Sequence, residues 1–184
     1  MTLTTGVSTK MNVSEVLFYF MVYAVLGWLL ENTYNLATTG RFWKEGFMLG
    51  PYKPMYGVAP LLLLGGSELM GNHFVIVAAM CFIVPTAVEY VSGYGLKACF
   101  GSTWWDYSAL RGQLHGHICL RFSLYWGILS LSVLHYMHPW IKAVYGGVEA
   151  VWAVGGPLLF LLFLADFAYT WKIRRRSWRN SWIA

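Results

Sequence analysis

Charge is scarce in this chain. Asp, Glu, Lys and Arg make up 11% of its 184 residues, well under the roughly 25% of soluble domains, so an ordinary solvated surface is excluded. Cysteine is scarce too. Cys81, Cys99 and Cys119 show no CxxC spacing, which excludes a disulfide framework. Two of the three fall in a stretch expected to face a reducing compartment. No Gly-x-x-x-x-Gly-Lys-Ser/Thr run occurs, so any ATP-driven activity needs a second protein. Met1 to Ser14 is polar and the first apolar run is too long for an h-region, so no cleavable signal peptide is expected. No internal repeat or low-complexity tract stands out.

Apolar sequence is what the chain has in excess. The hydrophobic fraction is 58% and the mean hydropathy +0.52. A bilayer core needs about 20 apolar residues per helix, and the runs are that long. Five segments are expected, at 14–38, 55–70, 73–97, 118–136 and 148–172, with Ser14 as the first N-cap and Gly40 closing the first helix. The second is short and begins after Pro51 and Pro54. It either spans or forms a re-entrant hairpin with the third. Residues 98–117 form an interfacial loop, and 173–184 a basic tail.

The few charges are partitioned. Eleven of thirteen Lys and Arg lie in Arg41–Lys53, Lys97–Arg121 and Lys172–Arg179; only Lys10 and Lys142 lie elsewhere. Short Lys/Arg-rich loops stay on the cytoplasmic side. Five spans put all three stretches on that face, with the N-terminus outside and the C-terminus cytoplasmic. The fold class is therefore all-α, a polytopic helical bundle in the cell membrane, with a bacterial inner membrane expected. Trp43, Trp104, Trp105, Trp171, Trp178 and Trp182 would form an inner aromatic belt, with Trp140 and Tyr145 on the outer side. Anionic lipid headgroups account for the net charge of +5 better than nucleic acid does.

Ionisable groups inside apolar segments cost about 2.5–3.5 kcal/mol each at a helix centre and mark pathways or pairs. Glu31 shares a helix face with Gly27, Tyr34 and Asn35 by i±3 and i±4 spacing. Glu89 stands in a stripe of every fourth residue, Cys81, Pro85, Glu89, Gly93 and Lys97. Asp166 lies late in the fifth segment, and a structural ion pair with Arg121 or the basic tail is expected for it. Trp104-Trp105-Asp106-Tyr107-Ser108 reads either as an interfacial anchor, with Asp106 capping, or as part of a site. His115, His117 and Cys119 alternate but match no zinc spacing, so no metal is assigned. His135 and His138 read as interface residues. The candidate pathway or substrate-binding residues are Glu31, Tyr34, Glu89, Lys97, Trp105, Asp106, Tyr107, Arg111 and Arg121. Glu31, Glu89 and the Trp105–Tyr107 turn are expected to meet at the inner face, sharing a cation or a proton. No catalytic residue and no cofactor is assigned.

Leu26-Gly27-Trp28 with Glu31 and Tyr34, Gly46-Phe47, Gly50-Pro51 with Pro54, and Tyr56-Gly57 together resemble the bacterial CmpB-like membrane family. That family is labelled a type IV ABC-transporter permease and has small vertebrate transmembrane relatives. The resemblance runs on through Glu89, Gly93, Trp104 to Ser108, Gly116, Ile118-Cys119-Leu120 and Trp126-Gly127. One place departs from it. The family usually has an Asn shortly after the WWDYS-like run and an Arg after the Gly, where this chain has Gln113, His115 and His117.

The resemblance implies a transport component, with membrane lipids, a separate ATPase or other membrane subunit, and a second copy of the chain as partners. Two readings compete with it. One is a membrane-embedded enzyme acting on a lipid or isoprenoid headgroup, with Glu89, Asp106 and the histidines as acid–base groups beside Lys97, Arg111 or Arg121. The other is a scaffold subunit. A transport route needs a cavity reaching toward the outer face, an enzyme a pocket open to the inner leaflet, and a scaffold neither.

Overall fold

A computed structural model describes residues 11–70 and 73–180. The elements are α1 (Val13–Thr39), α2 (Pro54–Leu69), α3 (Phe74–Phe100), strands β1 (Gln113–Leu114) and β2 (Ile118–Cys119), α4 (Leu120–Ser132), a π-helical turn (Val133–Met137) and α5 (His138–Asn180). The two strands pair antiparallel in the loop after α3, so the chain is all-α apart from this short ladder. Among the described residues, three helical stretches are long and apolar enough to cross a membrane: Val13–Thr39, Phe74–Phe100 and Leu120–Arg179. This is a membrane protein. α2, at 16 residues, falls short of the roughly 20 a span needs.

α1 starts two residues earlier than Ser14 would set it. Asn12 is the N-cap, its side chain accepting from the Glu15 backbone N–H at 2.8 Å, and Glu15 then sits favourably at the positive end of the helix dipole. Gly40 ends α1 with φ 72° and Gly101 ends α3 with φ 63°, left-handed positions suited to glycine. α3 buries Cys81, Pro85, Glu89 and Gly93, four members of the i+4 stripe. Lys97, the fifth, is exposed.

The segment after Gly40 does not stay outside the bundle. Asn35 Nδ2 donates to the Arg41 carbonyl at 2.6 Å, Lys44 N–H to Asn32 Oδ1 at 2.8 Å, and Lys53 N–H to the Ala24 carbonyl at 2.9 Å. The chain thus climbs back along the C-terminal half of α1. Met48 packs with Met21 of α1 and Phe163 of α5. Non-helical backbone can run inside a membrane protein only where protein satisfies its polar groups. Asp166 is one that does so: its Oδ2 accepts the Gly50 N–H at 2.9 Å and its Oδ1 the Thr170 hydroxyl at 3.1 Å. The expected ion pair of Asp166 with Arg121 or the tail is absent among the described residues. This re-entry also accounts for the short α2, which starts already inside the bundle.

No loop separates the fourth and fifth apolar segments, contrary to the pattern expected from Met137 to Gly147. Helical hydrogen bonding continues from Leu120 to Arg179. A straight helix of 60 residues would be about 90 Å long. Yet Leu120 N–H bonds the Gly112 carbonyl, and Trp178 lies against Gly101, so both ends return to the loop after α3. In between, His138 meets Tyr23, and Tyr145 and Trp152 meet Phe18. The stretch is therefore bent, and the π turn, with Pro139 two residues beyond its end, supplies the weak point. Tyr145, expected in the outer belt, is core instead, packed with Phe18, Tyr19 and Ile141. Trp182 lies outside the described residues.

Candidate functional site

α4 packs on α3 through Gly127 against Phe82, and α5 packs on α1 through Phe160 and Phe163 against Phe20. α1 and α4 consequently flank α2 and α3 and face each other across a gap. In that gap lies a cavity of about 300 Å³ lined by thirteen residues, among them Leu30, Glu31, Lys44, Met55, Glu89 and Leu129. Seven of the thirteen are aromatic: Tyr34, Tyr56, Trp105, Tyr107, Phe122, Tyr125 and Trp126.

The two carboxylates in it are handled differently. Glu31 is answered by two lysines delivered by the re-entrant segment: Lys53 Nζ bonds Oε2, and Lys44 Nζ lies 3.1 Å from the same oxygen. Glu89 is 2% exposed and has neutral donors. Tyr107 Oη donates to its Oε1 at 2.9 Å, and Trp126 Nε1 to its Oε2 at 2.9 Å. No Lys or Arg among the described residues makes an ion pair with it. Burial, then the Glu89 carboxylate, raises the Tyr107 pKa well above the usual range, so Tyr107 stays a donor at neutral pH. Tyr56 reaches this spot because α1 and α2 touch: a Cβ on Gly27 would overlap the Tyr56 ring, the close approach small residues permit in membrane bundles.

Of the residues singled out from sequence, Glu31, Tyr34, Glu89, Trp105 and Tyr107 line the one cavity. Arg121 stands beside it, its Nε donating to Tyr125 Oη at 3.1 Å and its guanidinium over the Tyr125 ring. Asp106 points away: its Oδ1 accepts the Ser108 N–H at 2.8 Å, a bond that holds its carboxyl below the usual carboxylate range. Lys97 and Arg111 do not line the cavity. His115 bonds Tyr90 Oη at 2.9 Å, and His117 is buried against Gly93. Burial lowers the pKa of His117, and the Lys97 and His115 charges lower it further. His138 pairs with Tyr23 Oη at 3.0 Å.

A second cavity of about 310 Å³ adjoins the first. The two share Leu30, Met55, Tyr56, Trp126 and Leu129. The second continues along α1 and α4 to Tyr23, Val133 and Met137, toward the end of the bundle opposite Lys44. Apart from Thr33, Ser130, the hydroxyls of Tyr23 and Tyr56 and the indole N–H of Trp126, its side-chain lining is apolar.

A protein-family model described as "Putative ABC-transporter type IV" matches residues 18–171. The chain belongs to that family. No curated protein and no solved structure matches it. The family match takes in every residue of both cavities, among them Lys44, Tyr56 and Trp126, which sequence reasoning missed, and also Lys53, missed likewise, which lies outside both cavities and pairs with Glu31. Tyr56 and Trp126 stood in quoted motifs of the ABC-transporter-type pattern, Tyr56-Gly57 and Trp126-Gly127. For the lysines no local signal existed, since a cationic loop reads as a solvated one.

Proposed function

We propose that this chain is a permease-like component of a membrane transport system, with Glu31 and Glu89 at the centre of its route. The observation that carries the reading is that the two cavities share five lining residues, so that their linings together run from Lys44 and Tyr34 past both carboxylates to Met137 at the other end. Five crossings support it geometrically: α1, the re-entrant segment with α2, α3, α4, and the descending part of α5, with the N-terminus outside. The basic residues then stand on one side, as positively charged inner loops require. A polar group buried in such a bundle without a counter-charge fits a site better than a scaffold, which would pair it. The enzyme reading loses support because, of its acid–base groups, only Glu89 lines the cavity, while Asp106 and the two loop histidines do not. Energy comes from an ion gradient or from a separate ATPase, the second being what the family description suggests.

Single cysteines test the route. With Cys81, Cys99 and Cys119 replaced, cysteines at Tyr34, Leu129 and Met137 are labelled with a membrane-impermeant thiol reagent applied from either side. Labelling of Tyr34 from the cytoplasmic side and of Met137 from the outside is expected. Labelling of the 101–119 loop from outside intact cells would overturn the orientation, and inaccessibility of all three positions would overturn the route.

A further inference from the structure

The cavity between α1 and α4 holds a buried acid, Glu89, with which no Lys or Arg among the described residues makes an ion pair. Glu89 has both oxygens in hydrogen bonds to neutral donors, Tyr107 and Trp126, while burial of a carboxylate is costly unless a cation or proton accompanies it. The cations nearby are engaged elsewhere. Lys44 and Lys53 share the Glu31 carboxylate, and Arg121 is turned onto Tyr125. The seven aromatic side chains around the cavity are the second observation. Ring faces attract a cation, worth about 0.5–1 kcal/mol each when exposed and about 2 when desolvated, and aromatic cages are how proteins bind organic ammonium groups. The third is the adjoining apolar cavity along Leu26, Leu129, Val133 and Met137, whose lining suits a hydrocarbon chain. The gap is flanked by exposed Leu29, Leu30, Tyr34 and Tyr125, so an amphiphile can enter sideways from the bilayer.

We propose that the two cavities together bind one membrane-resident amphiphile with an organic ammonium head, the head against Glu89 within the aromatic lining and the chain in the apolar cavity beside it. This names a substrate class for the transport route proposed above and rests on that reading. An acidic headgroup is disfavoured because its oxygens would meet the Glu89 carboxylate, which makes no ion pair among the described residues. An uncharged one would leave Glu89 without its partner.

The test uses the full chain purified in detergent, with hexadecyltrimethylammonium, hexadecyl sulfate and hexadecyl maltoside as probes, each scored by native mass spectrometry. One bound ammonium per chain is expected, at least tenfold tighter than either other probe. Glu89→Gln, which keeps the size and an acceptor, is expected to weaken ammonium binding at least tenfold, about 1.4 kcal/mol, and to leave maltoside binding unchanged. Tyr34→Leu alters an exposed ring and serves where Glu89→Gln does not fold; it is expected to weaken the ammonium severalfold and the maltoside not at all. Equal binding of all three probes, tighter sulfate binding lost in Arg121→Gln, or unchanged ammonium binding in both cavity variants overturns the proposal. The transport reading fails separately. Bound ammonium that the protein does not carry across vesicle bilayers upholds the site and removes the transport, whereas accessible route cysteines without ammonium binding do the reverse.

Discussion

Removing the Glu31 carboxylate is the perturbation with the largest expected effect on stability. The side chains of Glu31 and Lys53 are 17% and 12% exposed, so they form a buried pair. Breaking such a pair by deleting one partner costs about 3–5 kcal/mol, because the other charge stays buried and uncompensated. Lys44, at 35% exposure, is solvated enough to contribute at most about 1 kcal/mol. Glu31→Gln should therefore destabilise the protein by about 3–5 kcal/mol. For a chain of this size that lowers the unfolding midpoint by about 6–20 °C, at 2–4 °C per kcal/mol. Lys53→Met should cost less, since Lys44 remains at 3.1 Å from the carboxylate. The double variant Glu31→Gln/Lys53→Met should be less damaged than the sum of the singles by on the order of 1–3 kcal/mol. Thermal unfolding in detergent, followed by circular dichroism, measures all three. Strict additivity, or a Glu31→Gln shift under about 2 °C, would refute the claim that Lys53 is held in the bundle by this carboxylate.

Other consequences are testable in the same preparation. Gly27→Ala should cost about 1–3 kcal/mol by overpacking, because the added methyl overlaps the Tyr56 ring; an unshifted midpoint would mean α1 and α2 are not in contact there. Asp166→Asn keeps an acceptor for the Gly50 N–H, whereas Asp166→Lys removes it and buries a charge, so the first should be the better tolerated; equal losses of folded protein would contradict the bond to Gly50. Burial, with Lys97 and His115 adding to it, holds His117 below its ordinary pKa. The folded state then binds a proton less readily than the unfolded chain, and stability falls as pH drops through about 6.5. His117→Gln should flatten the change in midpoint between pH 7.5 and 5.5, and an unchanged slope would assign it to other groups. Asp106→Asn should leave ammonium binding unaltered, since Asp106 faces Ser108 and not the cavity; a tenfold loss would place it in the site.

The sequence alone determined what depends on local chemistry. Hydropathy over about 20 residues is a property of the run itself, and it marked α1 and α3 within a few residues of their ends. Glycine is the residue that tolerates a left-handed conformation, so Gly40 stood out as a terminus. The every-fourth-residue spacing put Cys81, Pro85, Glu89 and Gly93 on one face, and helical geometry alone brings them together. Glu31, Tyr34, Glu89, Trp105 and Tyr107 could be named for the same reason, as polar or aromatic groups at helix faces and next to an interface. Only the tertiary structure decided which charges meet. Lys53 reaches Glu31, and Asp166 serves Gly50, because the chain after Gly40 turns back along α1. An extended segment buried by its neighbours has no periodicity of its own to announce it. The bend in the long helical stretch after Leu120 is likewise a matter of packing: a π turn and a proline permit it, but the contacts of Phe18, Tyr19 and Tyr23 with the far side of the bend hold it there.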